Sequence, residues 1–119
     1  MTEPSSERDR QRSAAIARAL ADPKRLCVLE SLSDRELSVS ELSVRVGCQV
    51  PNMSQHLAVL RAAGLVSSRR VGSTVFYRLA DRRVVEALQL IRSLAGSSSD
   101  DRGEPVDIAP AAAGERIAR

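Results

Sequence analysis

The side chains of this chain that could do chemistry are concentrated in one predicted helix. Asn52, Gln55 and His56 fall on one side of that helix, and none of them is a carboxylate. Such a face can hydrogen-bond the edges of DNA bases without repelling the phosphates, and the neighbouring Ser54 can reach a phosphate. A solvated surface helix without a partner would show the same pattern, so the flanking elements decide between the two interpretations.

The opposite side of this helix, which we predict to span Asn52–Ala63, must hold the polar face in place. Met53, Leu57 and Leu60 recur at the i, i+4, i+7 spacing and are expected to pack inward. Gly64 follows the last turn, where glycine tolerates the left-handed conformation that ends many helices. The spacing therefore predicts an amphipathic helix with one buried and one polar face.

A second helix is predicted directly before it, over Leu37–Gly47. Ser38 and Glu41 form a Ser-x-x-Glu capping box, in which each side chain accepts a hydrogen bond from the other residue's amide. Leu42 and Val46 lie on its inner face. Two helices joined by a tight turn, the second of them with a face that fits a DNA groove, form a helix-turn-helix.

A basic hairpin is predicted after the helix-turn-helix. Residues Leu65–Val71 and Thr74–Leu79 have the composition of strands, and the glycine in Gly72-Ser73 fits a two-residue turn. A merely solvated hairpin does not explain this position, whereas a DNA-binding wing does. The candidate contacts to the DNA backbone or minor groove are Arg69, Arg70, Ser73, Thr74 and Arg78.

The remaining helices are predicted over Arg10–Ala21, from Pro23 onwards, and over Asp81–Ala95. The last helix is apolar over more than one face, and a domain this small can cover one such face. The other face should meet a second copy of the chain, with help from the first helix. The predicted dimer-interface residues are Ile16, Leu20, Val84, Leu88, Ile91 and Leu94.

Composition and charge support one basic domain. Of 119 residues, 43% are apolar and only 2% aromatic, so Leu, Val, Ile and Ala must build the core. Residues 97–119 hold three arginines against five acids, a net charge of −2, and because the whole chain carries +3, the remainder carries +5. We expect a disordered N-terminus over residues 1–9, the folded domain over 10–96 and a disordered tail over 97–119.

Several classes of protein are disfavoured. Cys27 and Cys48 are too few for a disulfide framework, and no apolar run approaches a membrane span. With no signal peptide at the start, we expect a cytoplasmic protein. An enzyme is not expected, because His56 has no carboxylate partner fixed by spacing and no glycine-rich loop could cradle a phosphate. No cofactor is predicted.

Four segments resemble the ArsR/SmtB family of bacterial winged-helix repressors, and the resemblance covers roughly residues 13–95. They are ALADPKRLCVLESL at 19–32, ELSVSEL at 36–42, SQHLAVLRAAGLV at 54–66 and RRVGSTVFYRL at 69–79. The resemblance implies a homodimer built from the first and last helices. It also implies a recognition helix in the major groove and a wing over the adjacent backbone or minor groove.

The chain departs from the metal-sensing branches of the family. Where one branch has Cys-Val-Cys, this chain has Ser38 and Ser40, whose hydroxyls are poor ligands for thiophilic ions. Where another branch uses histidines on the last helix, Asp81 and Glu86 remain, and two carboxylates do not make a zinc site. No metal site is therefore predicted.

Our interpretation is a mainly α (α+β) winged helix-turn-helix in the order α-α-α-α-β-β-α. It predicts a homodimeric repressor that binds double-stranded DNA at an inverted repeat and is released by an unidentified signal. Two alternatives stay open: a thiol-based redox or metal sensor of the same family that uses Cys27 and Cys48, and a winged-helix module that binds protein.

Overall fold

The computed structural model describes residues 6–96, and the predicted order of elements is confirmed there with one addition. The elements are α1 Glu7–Leu20, α2 Pro23–Ser31, β1 Leu37–Ser38, α3 Val39–Val46, α4 Val50–Ala62, β2 Val66–Val71, β3 Thr74–Leu79 and α5 Arg83–Leu94. Ser6 caps α1, so Glu7–Asp9, which were predicted to be disordered, are helical. The predictions for residues 1–5 and 97–119 lie outside the described residues.

The addition is β1, which consists of only two residues. Leu37 pairs antiparallel with Tyr77 and Ser38 with Phe76, so the sheet has the order β1-β3-β2. Two residues are too few to show the alternation that marks a strand. Because Leu37 and Ser38 belong to this strand, the predicted helix start at Leu37 is wrong, and α3 begins at Val39.

Side-chain caps set the ends of α2 and α3. The Asp22 carboxylate accepts hydrogen bonds from the amides of Lys24 and Arg25, at 2.8 and 3.1 Å. Both bonds of the predicted capping box are present: Ser38 Oγ accepts from the Glu41 amide at 3.1 Å, and Glu41 Oε1 accepts from the Ser38 amide at 2.8 Å. These caps fix where α2 and α3 begin, and Gly47, with φ +78°, ends α3 at the short turn that leads to α4.

The hydrophobic core lies beneath α4. Met53, Leu57 and Leu60 are completely buried, which confirms the predicted inner face. They pack in one cluster with residues from all the other elements, among them Val28 and Leu29 of α2. Because three consecutive turns of α4 are anchored this way, its polar face is held in one orientation.

The structure corrects two of the dimer-interface residues. Val84 and Leu88 of α5 are only 8% and 5% exposed and belong to the chain's own core, so they offer almost no surface to a partner. They lie one turn apart on the same helical face. The described residues fall into two compact units, the first of which ends at Leu88 and the second of which begins at Gln89. In the second unit Leu90, Ile91 and Leu94 are exposed.

Candidate nucleic-acid interface

The predicted base-contacting residues lie on the outer side of α4. Asn52, Ser54 and Gln55 are exposed and His56 is half-buried. The N-cap residue Gln49 makes no side-chain hydrogen bond to the first turn of α4. The amides at this helix end are therefore not occupied by a side-chain cap, and the positive end of a helix dipole suits a phosphate.

Two cations of α2 join this face, and the sequence analysis did not include them. Lys24 and Arg25 line an open depression together with polar residues of α4 and the Cys48 side chain. The depression also includes Asn52, Gln55, His56 and Val59. The packing of α2 against α4 thus places positive charge beside the predicted base-contacting residues, where DNA phosphates would lie.

Arg25 connects three parts of the structure. Its Nε donates to the Ala19 carbonyl at 2.7 Å and its Nη2 to the Arg18 carbonyl at 3.0 Å, both at the C-terminal end of α1. Its Nη1 lies 3.5 Å from Nδ1 of His56. Beside the base contact predicted for His56, this contact supports a role in helix packing, because the ring lies beside an arginine that donates to carbonyls at the end of α1.

Lys24 contacts the C-terminal end of α3, as Arg25 contacts that of α1. Its Nζ donates to the carbonyls of Val46 and Gly47 at 3.4 and 3.3 Å. A cation at a helix C-terminus interacts favourably with the helix dipole and with carbonyls that lack intrahelical partners. Because the side chain is exposed as well, Lys24 can face solvent or a phosphate from this position.

The wing has an ion cluster at its centre. Arg69 donates to the Glu36 carboxylate through Nε at 3.0 and 2.9 Å and through Nη2 at 2.7 Å. Arg78 Nη1 lies 3.7 Å from the same carboxylate. The Arg69 guanidinium also lies over the ring of Phe76, 5.5 Å from its centre. Arg69 and Arg78, which were predicted as DNA contacts, are therefore engaged within the chain.

The Arg69 hydrogen bond holds the pKa of the Glu36 carboxyl below its ordinary value, with the charges of Arg69 and Arg78 acting in the same direction. The pKa of Arg69 is correspondingly raised, first by its hydrogen bond to Glu36. Glu36 is therefore an anion at neutral pH. Since it precedes β1 and is 33 residues from Arg69 in the chain, nothing in the sequence pattern links the two residues.

The remaining wing candidates are exposed and separate from this cluster. Arg70 forms no ion pair with another residue of the described range 6–96, and Ser73 and Thr74 lie at the exposed tip. Gly72 begins the turn with φ +63°, a conformation that favours glycine. Arg70 and the tip are thus the parts of the wing that can meet DNA without first breaking a contact within the chain.

Thiols and carboxylates are the groups of this chain that could form a metal or redox site. Cys27 and Cys48 are half-buried free thiols, and Cys48 packs against the core. Within residues 6–96, no three His, Cys, Asp or Glu side chains form a group that could hold a metal ion. The helices of that range are too short or too polar to cross a membrane.

Comparison with known sequences identifies relatives. The profile described as "Bacterial regulatory protein, arsR family" matches residues 22–68. The chain is 55% identical over 69 residues to the HTH-type transcriptional regulator KmtR of Mycobacterium tuberculosis, a match that covers 58% of this chain and 53% of KmtR, about half its length. It is 40% identical over 91 residues to the biofilm growth-associated repressor of Agrobacterium fabrum, which covers 74% of this chain and 78% of the repressor.

A solved structure shows the same fold. The homodimeric winged helix-turn-helix DNA-binding domain Mb0332 of Mycobacterium bovis, described as a possible ArsR-family regulator, superposes with a TM-score of 0.69 at 29% identity. The match covers 79% of this chain and 90% of that chain. It supports the assignment of α3 and α4 as the helix-turn-helix and of β2 and β3 as the wing.

Proposed function

This chain belongs to the arsR family of bacterial regulatory proteins, and we propose that it represses transcription as a homodimer bound to an inverted-repeat operator. The family consists of transcriptional regulators with a winged helix-turn-helix. The observation that carries the proposal is the outer face of α4: Asn52 and Gln55 are exposed there on a helix whose inner face is completely buried.

In this proposal α4 enters the major groove, which is wide enough to admit a helix. The amide groups of Asn52 and Gln55 can donate to and accept from a base edge at the same time, as sequence recognition requires. Ser54 is exposed beside them and contacts a phosphate. His56 acts chiefly through its contact with Arg25, which links α4 to α2.

The wing and α2 supply the contacts that do not depend on sequence. Arg70, Ser73 and Thr74 contact the backbone or minor groove. Lys24 contacts the backbone beside Asn52, from the depression that the two residues line. Contacts to phosphates from the wing and from α2 would fix the orientation of α4 in the groove.

The dimer is proposed to form through the exposed apolar residues of the last helix. Leu94 is 87% exposed and Leu90 67%, so both leucines offer apolar surface that a second copy of the chain can cover. Ile91, and Ile16 and Leu20 of α1, remain predicted interface residues. A two-fold dimer presents two copies of α4, which can enter successive major grooves only if they lie about 34 Å apart.

This arrangement determines the form of the operator. Two α4 helices related by a two-fold axis read the same sequence on opposite strands, so the half-sites form an inverted repeat about one helical turn apart. Since operator DNA lies in the cytoplasm of a bacterium, we place the protein there. We also propose that it has no enzymatic activity.

The test is a salt-dependent titration with an operator, selected from random duplexes, and with a scrambled duplex. Gln55→Ala should weaken operator binding by about 1–3 kcal/mol and reduce the preference for the operator. Arg70→Ala should weaken binding to both duplexes and flatten the dependence of log affinity on log salt by about 0.9 for each lost phosphate contact. Arg12→Ala, an equal charge change at an exposed residue of α1, is the control.

Wild-type protein that binds both duplexes equally, or neither at low salt, contradicts the proposal. The winged-helix domain would then be better explained as a protein-binding module. Binding that needs the operator but does not change with Gln55→Ala would leave the function standing and refute the assignment of Gln55.

A further inference from the structure

Glu36 is placed where a carboxylate should hinder DNA binding, between two arginines of the wing. Its position follows from the sheet: Leu37 pairs with Tyr77, and Ser38 with Phe76, which brings the preceding residue next to Arg78. Ser67 pairs with Arg78 and Arg69 with Phe76, so Arg69 and Arg78 lie on the same face of the hairpin. Glu36 contacts both of them.

The contact engages only one edge of Arg69. Glu36 accepts from Nε and Nη2, and the guanidinium carbon lies over the Phe76 ring, 5.5 Å from its centre. Nη1 takes no part in these contacts. The Arg69 side chain is still 50% exposed and that of Glu36 27% exposed, so a phosphate can approach the group from solvent.

An ion pair with this exposure can be exchanged for a contact with another anion. Water and salt screen exposed pairs, and both side chains lose conformational freedom in forming them, although the bidentate geometry makes the pair between Arg69 and Glu36 stronger than most exposed pairs. A phosphate near the wing therefore competes with Glu36 for Arg69 and Arg78 on similar terms. As long as Glu36 keeps them, neither arginine releases a counterion from DNA, and sequence-independent affinity stays low.

On this basis, and resting on the DNA-binding function proposed above, we propose that Glu36 is a specificity-determining residue. Its carboxylate acts as an internal substitute for phosphate on Arg69 and Arg78. It lowers the affinity of the wing for arbitrary DNA, while the base contacts of α4, which Glu36 does not touch, are retained at the operator. The ratio of operator to non-specific affinity is thereby increased.

The test compares Glu36→Gln with wild type on operator and scrambled duplexes over a range of salt concentrations. Glutamine has the same shape and can still accept one hydrogen bond, so we expect the fold to be retained, as circular dichroism and operator binding can verify. Affinity for the scrambled duplex should rise. The slope of log affinity against log salt should steepen by about 0.9 for each phosphate that Arg69 or Arg78 then contacts. The preference for the operator should fall.

Two controls separate this effect from a simple change in net charge. Glu30→Gln removes the same charge from α2, at an exposed residue without an ion pair to another residue of 6–96. It should raise scrambled-duplex affinity much less and leave the slope unchanged. In a background with Arg69→Gln and Arg78→Gln, the added Glu36→Gln substitution should have no more effect than Glu30→Gln, because no arginine remains to be released.

The inference is refuted if Glu36→Gln matches Glu30→Gln, if it weakens binding to the scrambled duplex, or if its effect persists without the two arginines. None of those results affects the proposed function, which stands as long as the wild-type protein prefers the operator to the scrambled duplex. Wild-type protein that binds no duplex at low salt refutes the proposed function and this inference with it.

Discussion

The capping box of α3 gives the most sharply defined stability prediction, because its two halves can be removed separately. Ser38→Ala deletes the Oγ that accepts from the Glu41 amide at 3.1 Å. It leaves intact the 2.8 Å bond from the Ser38 amide to Glu41 Oε1. The pairing of Ser38 with Phe76 in the sheet is made by the backbone and should also persist.

The expected loss of stability is that of the Ser38 side-chain cap alone. Loss of a Ser N-cap typically costs about 1 kcal/mol of stability, within a range of roughly 0.5–2. For a domain of this size, 1 kcal/mol corresponds to a fall in Tm of about 4–8 °C. Thermal unfolding followed by circular dichroism measures this shift, with the protein concentration held constant because the stability of a dimer depends on it.

Ser40→Ala is the matched control. Ser40 is an exposed residue in the first turn of α3, and it lies two residues from Ser38. Because alanine is the better helix former, that substitution should be neutral or slightly stabilising, within about 0.5 kcal/mol. Equal shifts for the two variants would refute the cap. Stoichiometric binding of a thiophilic ion that weakens DNA binding, and that survives loss of both cysteines, would assign the two serines a metal-binding role instead.

Three further predictions concern assembly, thiols and pH. Ile91→Asp should turn a dimer into a folded monomer in sedimentation at micromolar concentration, because it places a charge in an apolar contact; a wild-type monomer would refute the interface. Replacing Cys27 and Cys48 by Ser should leave repression and its release nearly unchanged in a reporter assay, and loss of induction would favour the redox sensor. Hydrogen bonds from Arg83 lower the pKa of Asp81 from 3.8 to about 2, so the carboxylate adds stability above 3.8 that is lost as pH falls towards 2. The Tm difference between wild type and Asp81→Asn should shrink across that interval, and a constant difference would contradict this.

The parts of the fold that the sequence could predict depend on residues close together in the chain. The buried stripe of α4, the capping box of α3 and the glycine turn of the wing each involve residues within seven positions of one another. Each pattern has one physical cause, such as burial of a face or satisfaction of an amide. Such causes act in the same way in every fold, so the local sequence pattern was enough to predict these three features.

The contacts that the sequence could not predict are those between distant segments. Lys24 lies beside Asn52 because α2 packs against α4, and Glu36 meets Arg69 because β1 pairs with β3. Neither contact leaves a periodic signal. For the same reason the sequence could not divide the apolar residues of α5, where Val84 belongs to the core, unlike Leu94. A helix with two apolar faces does not indicate which of them its own domain covers.

Three positive charges at the proposed interface also make contacts within the chain, and this determines how their substitutions should be interpreted. Arg25 donates to a carbonyl at the end of α1, Lys24 donates to a carbonyl at the end of α3, and Arg69 donates to Glu36. Removing any of these three also removes a contact within the chain, so weaker binding would not by itself show that the residue touches a phosphate. Arg70 has no such partner within residues 6–96. Its substitution is therefore the most direct measure of electrostatic binding by the wing, and the effects of the other three should be interpreted only beside their unfolding curves.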